Sequence, residues 1–339
     1  MEYSCDLILA DGNLKKGVLT IDPESGKADF EEKDIQTEYI ACPSFFNSHI
    51  HLGDSHLKDP PPMSLEELVG PGGYKFRHST SDSAEQAIVS SIEIARSSGT
   101  SALADFREGG VEGLEILKSA DRVGVCYPLA RPSTLEEGEK LVADNYTAGL
   151  SLSSVRDHEE SFIDQIRRVV KAENKIFAIH AGERDSHDVE RALSLEPDLL
   201  VHMNMATRSQ LKEAMDRNIP IVSCLRSNSF FDLLNLENYR MLLDYHNWLL
   251  GTDNVMLASP SLLNEMAFAS YLLQNDKEVI KAAFRGFSVF DSDPDMLVFN
   301  KKKNLAYTLS PISSVVKRVK KEDIDGIFGG FELGELFNL

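Results

Sequence analysis

The chain has 339 residues, 42% hydrophobic and 26% charged, a balance that excludes a disordered, collagenous or membrane-spanning chain. Its 54 acidic and 35 basic residues give a formal charge of -19, which repels phosphate backbones and anionic lipid, so neither nucleic acid nor a membrane is expected as a partner. Cys5, Cys42, Cys126 and Cys224 are scattered without a CxxC pair, no signal-peptide pattern is present, and no apolar run reaches the ~20 residues of a membrane span, so a reduced cytoplasmic protein is expected.

Residues 1–40 contain three short strand patterns, CDLILAD, GVLTID and KADFEE, separated by Gly, Asn, Pro and Ser turn signals. From 41 to 285 short apolar runs alternate with longer amphipathic segments. Strands are predicted at 40–47, 101–106, 124–129, 148–152, 176–180, 199–202, 219–224 and 249–253. Helices are predicted at 83–98 (Ala87, Ile88, Ile92 and Ala95 on one face), 159–173 (Phe162, Ile163, Ile166, Val169 and Val170), 208–217 (Leu211, Ala214 and Met215) and 261–273. This alternation predicts an α/β fold, a (β/α)8 TIM-like barrel. An open doubly wound sheet usually carries a Gly-rich phosphate turn after its first strand, and none is present.

The stretch 52–81, with PPP at 60–62 and GPGG at 70–73, follows the first barrel strand and is expected to be a lid or pocket wall. The segment 286–339 looks strand-like again at MLVFN and NLAYTL. It is expected to pair with the N-terminal strands, so that both ends of the chain build one small β-domain. Phe328, Phe331 and Phe337 in the tail would pack against the body or against a second copy of the chain.

Polar residues with metal-binding chemistry fall at the C-terminal ends of the predicted strands, the face on which barrels of this kind carry their active sites. Side chains two apart on a strand point the same way, so His49 and His51 after the first strand can address one ion. His180 ends the fifth strand, His202 the sixth and Asp253 the eighth. Any one of these has an ordinary structural reading, and Asp253 would serve equally as a helix cap. Together they place four of the nine histidines and one carboxylate at strand ends. Three imidazoles and a carboxylate suit one divalent ion, Zn2+ or Fe2+, with a position left for water. Such an ion lowers the pKa of that water from ~15.7 toward ~7. Glu183, three residues after His180, is placed for proton transfer.

These residues resemble the amidohydrolase superfamily, in particular the branch of cytosine, guanine and S-adenosylhomocysteine deaminases and chlorohydrolase-like enzymes. CPSFFNSHIHLGDS is similar to that branch's PGFVNxHxHL, and HAGE to its HxxE. His202 and the GTDN containing Asp253 match the remaining positions. CLRSN resembles CPxSN, with Leu225 in place of proline. The resemblance implies a mononuclear site in which His49, His51, His180 and Asp253 hold the metal, Zn2+ ahead of Fe2+. Asp253 would also take a proton from water, Glu183 would protonate a ring nitrogen, and His202 would orient the nucleophile. Binuclear members use a lysine at the end of the fourth strand. This chain has none there, since Lys140 precedes that strand. The family's frequent oligomerisation implies a homo-oligomer.

Arg107 and Glu108 after the second strand, and Arg226 and Asn228 after the seventh, are the weaker substrate-contact candidates. Arg131, Ser151 and Ser153 rank below them, and His56 is read as a lid residue. His78, His158, His187 and His246 are assigned to surfaces or helices. The leading function is a deaminase acting on a small amino-heterocycle or nucleoside. The alternatives are a cyclic amide or imidazolone hydrolase on the same barrel, and a catalytically silent binding protein.

Overall fold

The computed structural model describes residues 1–70, 72–78, 84–331 and 337. In chain order the strands are β1 (Glu2–Ile8), β2 (Leu14–Asp22), β3 (Lys27–Glu32), β4 (Tyr39–Pro43), β5 (Phe45–His51), β6 (Thr100–Asp105), β7 (Leu129–Ala130), β8 (Gly149–Leu152), β9 (Ile176–Ala181), β10 (Leu199–His202), β11 (Ile221–Ser223), β12 (Trp248–Leu250), β13 (Asp253–Asn254), β14 (Met296–Asn300) and β15 (Ile324–Phe328). The chain divides into two compact units, Met1–Phe46 with Ala95–Ala102 and Ser261–Leu339, and Asn47–Ile94 with Leu103–Pro260.

The first unit contains a six-stranded sheet in the order β15-β14-β4-β1-β2-β3, so strands from both chain ends share one sheet, as the sequence suggests. The β1–β2 turn is set by Asp11, whose carboxylate accepts the Asn13 N–H at 2.8 Å. Cys5, Leu7, Leu19, Ile21, Met296 and Val298 alternate inward to form the core. Phe337 is fully buried in that core, and Phe328 and Phe331 pack on it, so the tail phenylalanines cover their own unit. NLAYTL departs from expectation. It forms a 3-10 turn at Lys303–Leu305 and then runs irregularly, with Tyr307 and Leu309 exposed.

The second unit carries the parallel strands. β7 through β12 lie side by side in sequence order, and β13, β5 and β6 form a further run. Backbone hydrogen bonds join the two runs at both ends. On one side Arg107 N donates to Leu129 O, and Tyr127 N to Leu103 O. On the other, Gly251 N donates to Ser223 O and Thr252 N to His49 O, after which Asp253 pairs with Ile50. The circuit is that of a TIM-like barrel.

Three predicted strands differ in detail; one of them, 249–253, is divided between β12, which pairs with β11, and β13, which pairs with β5. The stretch 40–47 is two strands: β4 pairs with β1 and β14, and β5 starts afresh after Ser44. Pro43 has no N–H to continue a ladder, and the Ser44 hydroxyl instead accepts the Asp295 N–H at 2.9 Å. The third barrel strand is short because the Asp121 carboxylate takes the N–H groups of Val125 and Cys126 at 3.0 and 2.9 Å.

The predicted helices form at Ala84–Ser97, Glu160–Ala172, Arg208–Asp216 and Leu262–Leu273. Ser83, the predicted start of the first, and 71 and 79–81 of the predicted loop lie outside the described residues. Ile163, Ile166 and Val170 are buried, each contributing about 1.5–3 kcal/mol. Among the described residues no helix is long and apolar enough to cross a membrane.

Candidate functional site

β5 sets the centre of the site. It is buried along its whole length, and its alternation aims His49 and His51 the same way. Asn47, two residues earlier, donates to the Thr252 hydroxyl at 2.7 Å and accepts the Thr252 N–H at 3.0 Å, pinning the segment that delivers Asp253. That segment lies so close to β5 that a Cβ on Gly251 would sit 2.7 Å from the His49 Cβ, so only glycine fits.

The carboxylate of Asp253 stands among the imidazoles. Its Oδ1 is 3.1 Å from His49 Nε2 and 3.5 Å from His51 Nε2, and its Oδ2 accepts the Ser227 hydroxyl. His51 Nδ1 donates to Phe106 O at 3.2 Å and His180 Nδ1 to Leu152 O at 3.0 Å. Each bond fixes the proton on Nδ1 and leaves the Nε2 lone pair free. The nitrogen donors of His49, His51 and His180 lie within 4.8 Å of one another, as do the donors of His49, His202 and Asp253. His49 Nδ1 is buried without a hydrogen-bond partner. Burial, reinforced by the neighbouring imidazoles, holds His51 and His180 well below the ordinary histidine range. Burial alone would raise Asp253, but the His49 hydrogen bond and the surrounding imidazoles outweigh it and keep the carboxylate ionised. Neutral imidazoles with free lone pairs around an ionised carboxylate are the donor set that a divalent cation requires.

Two backbone outliers fall on site residues. His202 has φ +77° and Asp253 φ +60°, in the left-handed region that side-chain-bearing residues avoid.

His202 is oriented from behind. The Tyr239 hydroxyl donates to Asn228 Oδ1 at 3.0 Å, which turns the Asn228 amide so that Nδ2 faces His202 Nδ1 at 3.4 Å. The imidazole therefore accepts at Nδ1 and carries its proton on Nε2, which lies 3.5 Å from Glu183 Oε2. Replacing Asn228 by Leu removes the buried acceptor of the Tyr239 hydroxyl and the amide that faces the buried His202 Nδ1. It should destabilise the fold by about 1–3 kcal/mol in urea unfolding, whereas an unchanged midpoint would show that the relay carries no stability.

Glu183 follows Gly182, whose φ of +62° and whose N–H bond to Asp188 at 2.9 Å bend the chain out of β9. Burial is the main cause that raises the Glu183 carboxyl to about 7; the neighbouring His202 opposes it, while Asp253, Asp188 and Glu66 add to it.

Glu183, His180, His202 and Asp253 line one cavity of about 640 Å3. The segment after β5 forms part of its wall. It is not an irregular loop throughout: it contains short helices at Leu65–Val69, closed by a Ser64/Glu67 capping box, and at Tyr74–His78. Lys75 on the second of these lines the cavity and is buried against Asp54 and Glu108. Sequence reasoning gave it no role, since a five-residue helix in a Gly/Pro-rich stretch shows no periodicity.

Of the weaker substrate-contact candidates, Glu108 lines the cavity, and Arg131 and Ser153 line it too. Arg107 does not; its Nε donates to Gly113 O at 2.7 Å. Arg226 donates to Ser259 O at 2.9 Å, and Asn228 sits behind His202 and not on the cavity surface. Ser151 is buried, donating to Leu129 O. His158, assigned from sequence to a surface or helix, is a cavity residue, and His56 is not.

The model of the amidohydrolase family matches residues 40–288. A protein of Archaeoglobus fulgidus named "Putative aminohydrolase" is 42% identical over 302 residues, covering 88% of this chain and 89% of that protein. Among solved structures, guanine deaminase from C. acetobutylicum with bound guanine superposes with a TM-score of 0.76 at 15% identity, covering 96% of this chain and 98% of that one. Atrazine chlorohydrolase from Arthrobacter aurescens complexed with zinc gives 0.74 at 13% identity, over 96% and 92%. The structural likenesses bear on the fold.

Proposed function

The chain belongs to the amidohydrolase family, and on that premise we propose that it is a metal-dependent aminohydrolase releasing ammonia from a small amino-substituted heterocycle or nucleoside. The observation that supports this most is Glu183, a carboxyl with a near-neutral pKa that shares one cavity with His202 and Asp253.

His49, His51, His180 and Asp253 would hold one divalent ion, zinc ahead of iron. When bound, such an ion lowers the pKa of a coordinated water and offsets charge developing on the substrate. The chain's own groups do the rest. Protonated Glu183 donates to a ring nitrogen, making the amino-bearing carbon electrophilic. Asp253 accepts a proton from the attacking water, and His202, with Nε2–H turned toward Glu183, orients the nucleophile. As the C–N bond breaks, Glu183, reprotonated by the proton that Asp253 took from water, passes it to the departing nitrogen and then recovers the proton of the newly added hydroxyl, so that water and the amine become a ring carbonyl and ammonia with Glu183 protonated and Asp253 ionised again. All four cysteines are buried and none is in a disulfide, in keeping with the cytoplasmic location we assign.

The direct test is ammonia release by the metal-loaded protein across aminopurines, aminopyrimidines, pterins and adenosyl compounds. Release of ammonia supports the reading. Ring opening of a cyclic amide without ammonia would replace it with the lactam hydrolase, and failure to take up any metal would point to a silent binding protein.

Glu183 also sets a pH dependence. Only its protonated form can donate, and its carboxyl is raised to about 7. With metal in excess, kcat/KM should therefore fall as pH rises past about 7, approaching tenfold per unit. A flat profile between pH 6 and 9 would remove Glu183 from the proton path.

A further inference from the structure

Lys75 is a buried cation that the proton path does not use. Its Nζ lies 2.7 Å from Asp54 Oδ2 and 2.5 Å from Glu108 Oε2, and Arg131 Nη1 lies 2.6 Å from Glu108 Oε1. Asp54 Oδ2 also accepts the Asn254 amide at 2.8 Å, and Asn254 directly follows Asp253, so the cluster is tied to the segment that carries the site carboxylate. The side chains of Lys75, Glu108 and Arg131 are 8%, 24% and 18% exposed, and all three line the cavity that Glu183 lines.

The charges of this wall cancel: Lys75 and Arg131 stand against Asp54 and Glu108. It is therefore a poor anion site. A phosphate or carboxylate approaching the two cations would be repelled by Glu108, which bridges them, and by Asp54 on Lys75, so their attraction is offset. Burial favours the neutral form of Glu108, but Lys75 and Arg131 overcome it and hold the carboxyl far below its ordinary range. Burial likewise opposes the charge on Lys75, and Asp54 and Glu108 overcome that. What faces the cavity is a fixed pattern, an acceptor-only carboxylate flanked by donor-only groups. Its complement is a neutral edge carrying an N–H beside a carbonyl.

We propose that Lys75, Glu108 and Arg131 form the specificity wall of the cavity and select heterocycles with a lactam edge, the ring N–H donating to Glu108 and the carbonyl accepting from Lys75 or Arg131. This rests on the aminohydrolase reading and narrows it. Amino-heterocycles with an oxo group beside a ring N–H are substrates; rings lacking that edge are not. A wall built to pair a donor and an acceptor rejects a ligand that leaves them unpaired far more strongly than an apolar wall would.

The test is equilibrium binding, which does not depend on turnover. The metal-loaded Glu183→Gln protein is titrated calorimetrically with matched pairs: 2-amino-6-oxopurine and its 6-methoxy ether, 4-amino-2-oxopyrimidine and its 2-methoxy ether, and 2-amino-4-oxopteridine and its 4-methoxy ether. In at least one pair the lactam member should bind roughly 10- to 100-fold more tightly. Adding Glu108→Gln, which keeps the shape of the side chain, should bring that ratio close to one; Lys75→Arg is the second variant if the first does not fold. Equal binding within every pair, absence of binding, or a ratio unchanged in the wall variants would overturn the proposal. Ammonia release from the same compounds by the protein with Glu183 intact judges the deaminase reading separately. Selective, Glu108-dependent binding without ammonia would leave the wall standing and remove the deaminase assignment.

Discussion

Glu183→Gln should lower turnover by roughly 10²- to 10⁴-fold while the protein keeps its metal and its fold. The size of the effect follows from what the substitution removes. Glutamine matches the shape of glutamate and can still donate a hydrogen bond, but it cannot transfer a proton. The Glu183 carboxylate touches none of the nitrogen donors assigned to the ion; its near neighbour is His202 Nε2 at 3.5 Å. Metal content by elemental analysis should therefore stay at the level of the unsubstituted protein, and the melting temperature should change little or rise. Burial disfavours the ionised carboxyl, and an amide in its place has no charge to bury. Above pH 7 the unsubstituted protein carries that cost and the variant does not. An active Glu183→Gln protein would show that the proton comes from elsewhere. An inactive one that had also lost metal would make Glu183 a support of the metal centre instead of a proton donor.

The parts of the site that were legible in the sequence are those governed by short-range periodicity. His49 and His51 share a face because a strand alternates, and His180, His202 and Asp253 can be placed because each ends an apolar run. Glu183 follows by its distance from His180. The remaining features depend on pairings between residues far apart in the chain. The Lys75 ammonium meets Asp54 and Glu108, and nothing in the surrounding PGGYKFRH stretch distinguishes it from a solvated lysine. From sequence Asn228 reads as a substrate contact, and only the fold, with the Tyr239 hydroxyl donating to its Oδ1, shows that it faces His202. The break after Pro43 was similarly hidden. Ile40 to Asn47 reads as one apolar run, and it divides because Asp295, distant in sequence, captures Ser44. His51, His180 and Glu183 of the first kind and Lys75 of the second line one cavity, so periodicity locates the chemistry, and long-range ion pairs shape part of its wall.

His49→Ala separates the metal centre from the proton path. His49 is fully buried, with Nε2 against Asp253 and its ring 4.8 and 4.9 Å from those of His51 and His180, so no neighbouring side chain can replace it without rebuilding the centre. Removing a group that merely orients a ligand typically weakens metal binding 10- to 100-fold; removing a ligand should cost at least that, with activity falling in parallel. Activity alone does not identify the cause, because the substitution also leaves a void that costs stability. The decisive quantity is the metal-dependent part of the melting temperature. An ion at about 100 times its dissociation constant stabilises the folded state by about 2.7 kcal/mol. The unsubstituted protein and Glu183→Gln should both melt higher with Zn2+ than after chelation. His49→Ala should melt lower than either and show almost no difference between the two conditions. If His49→Ala instead retained the full metal-dependent shift, its imidazole would be a packing element beside Asp253, and the ion would be held by His51, His180 and Asp253 without it.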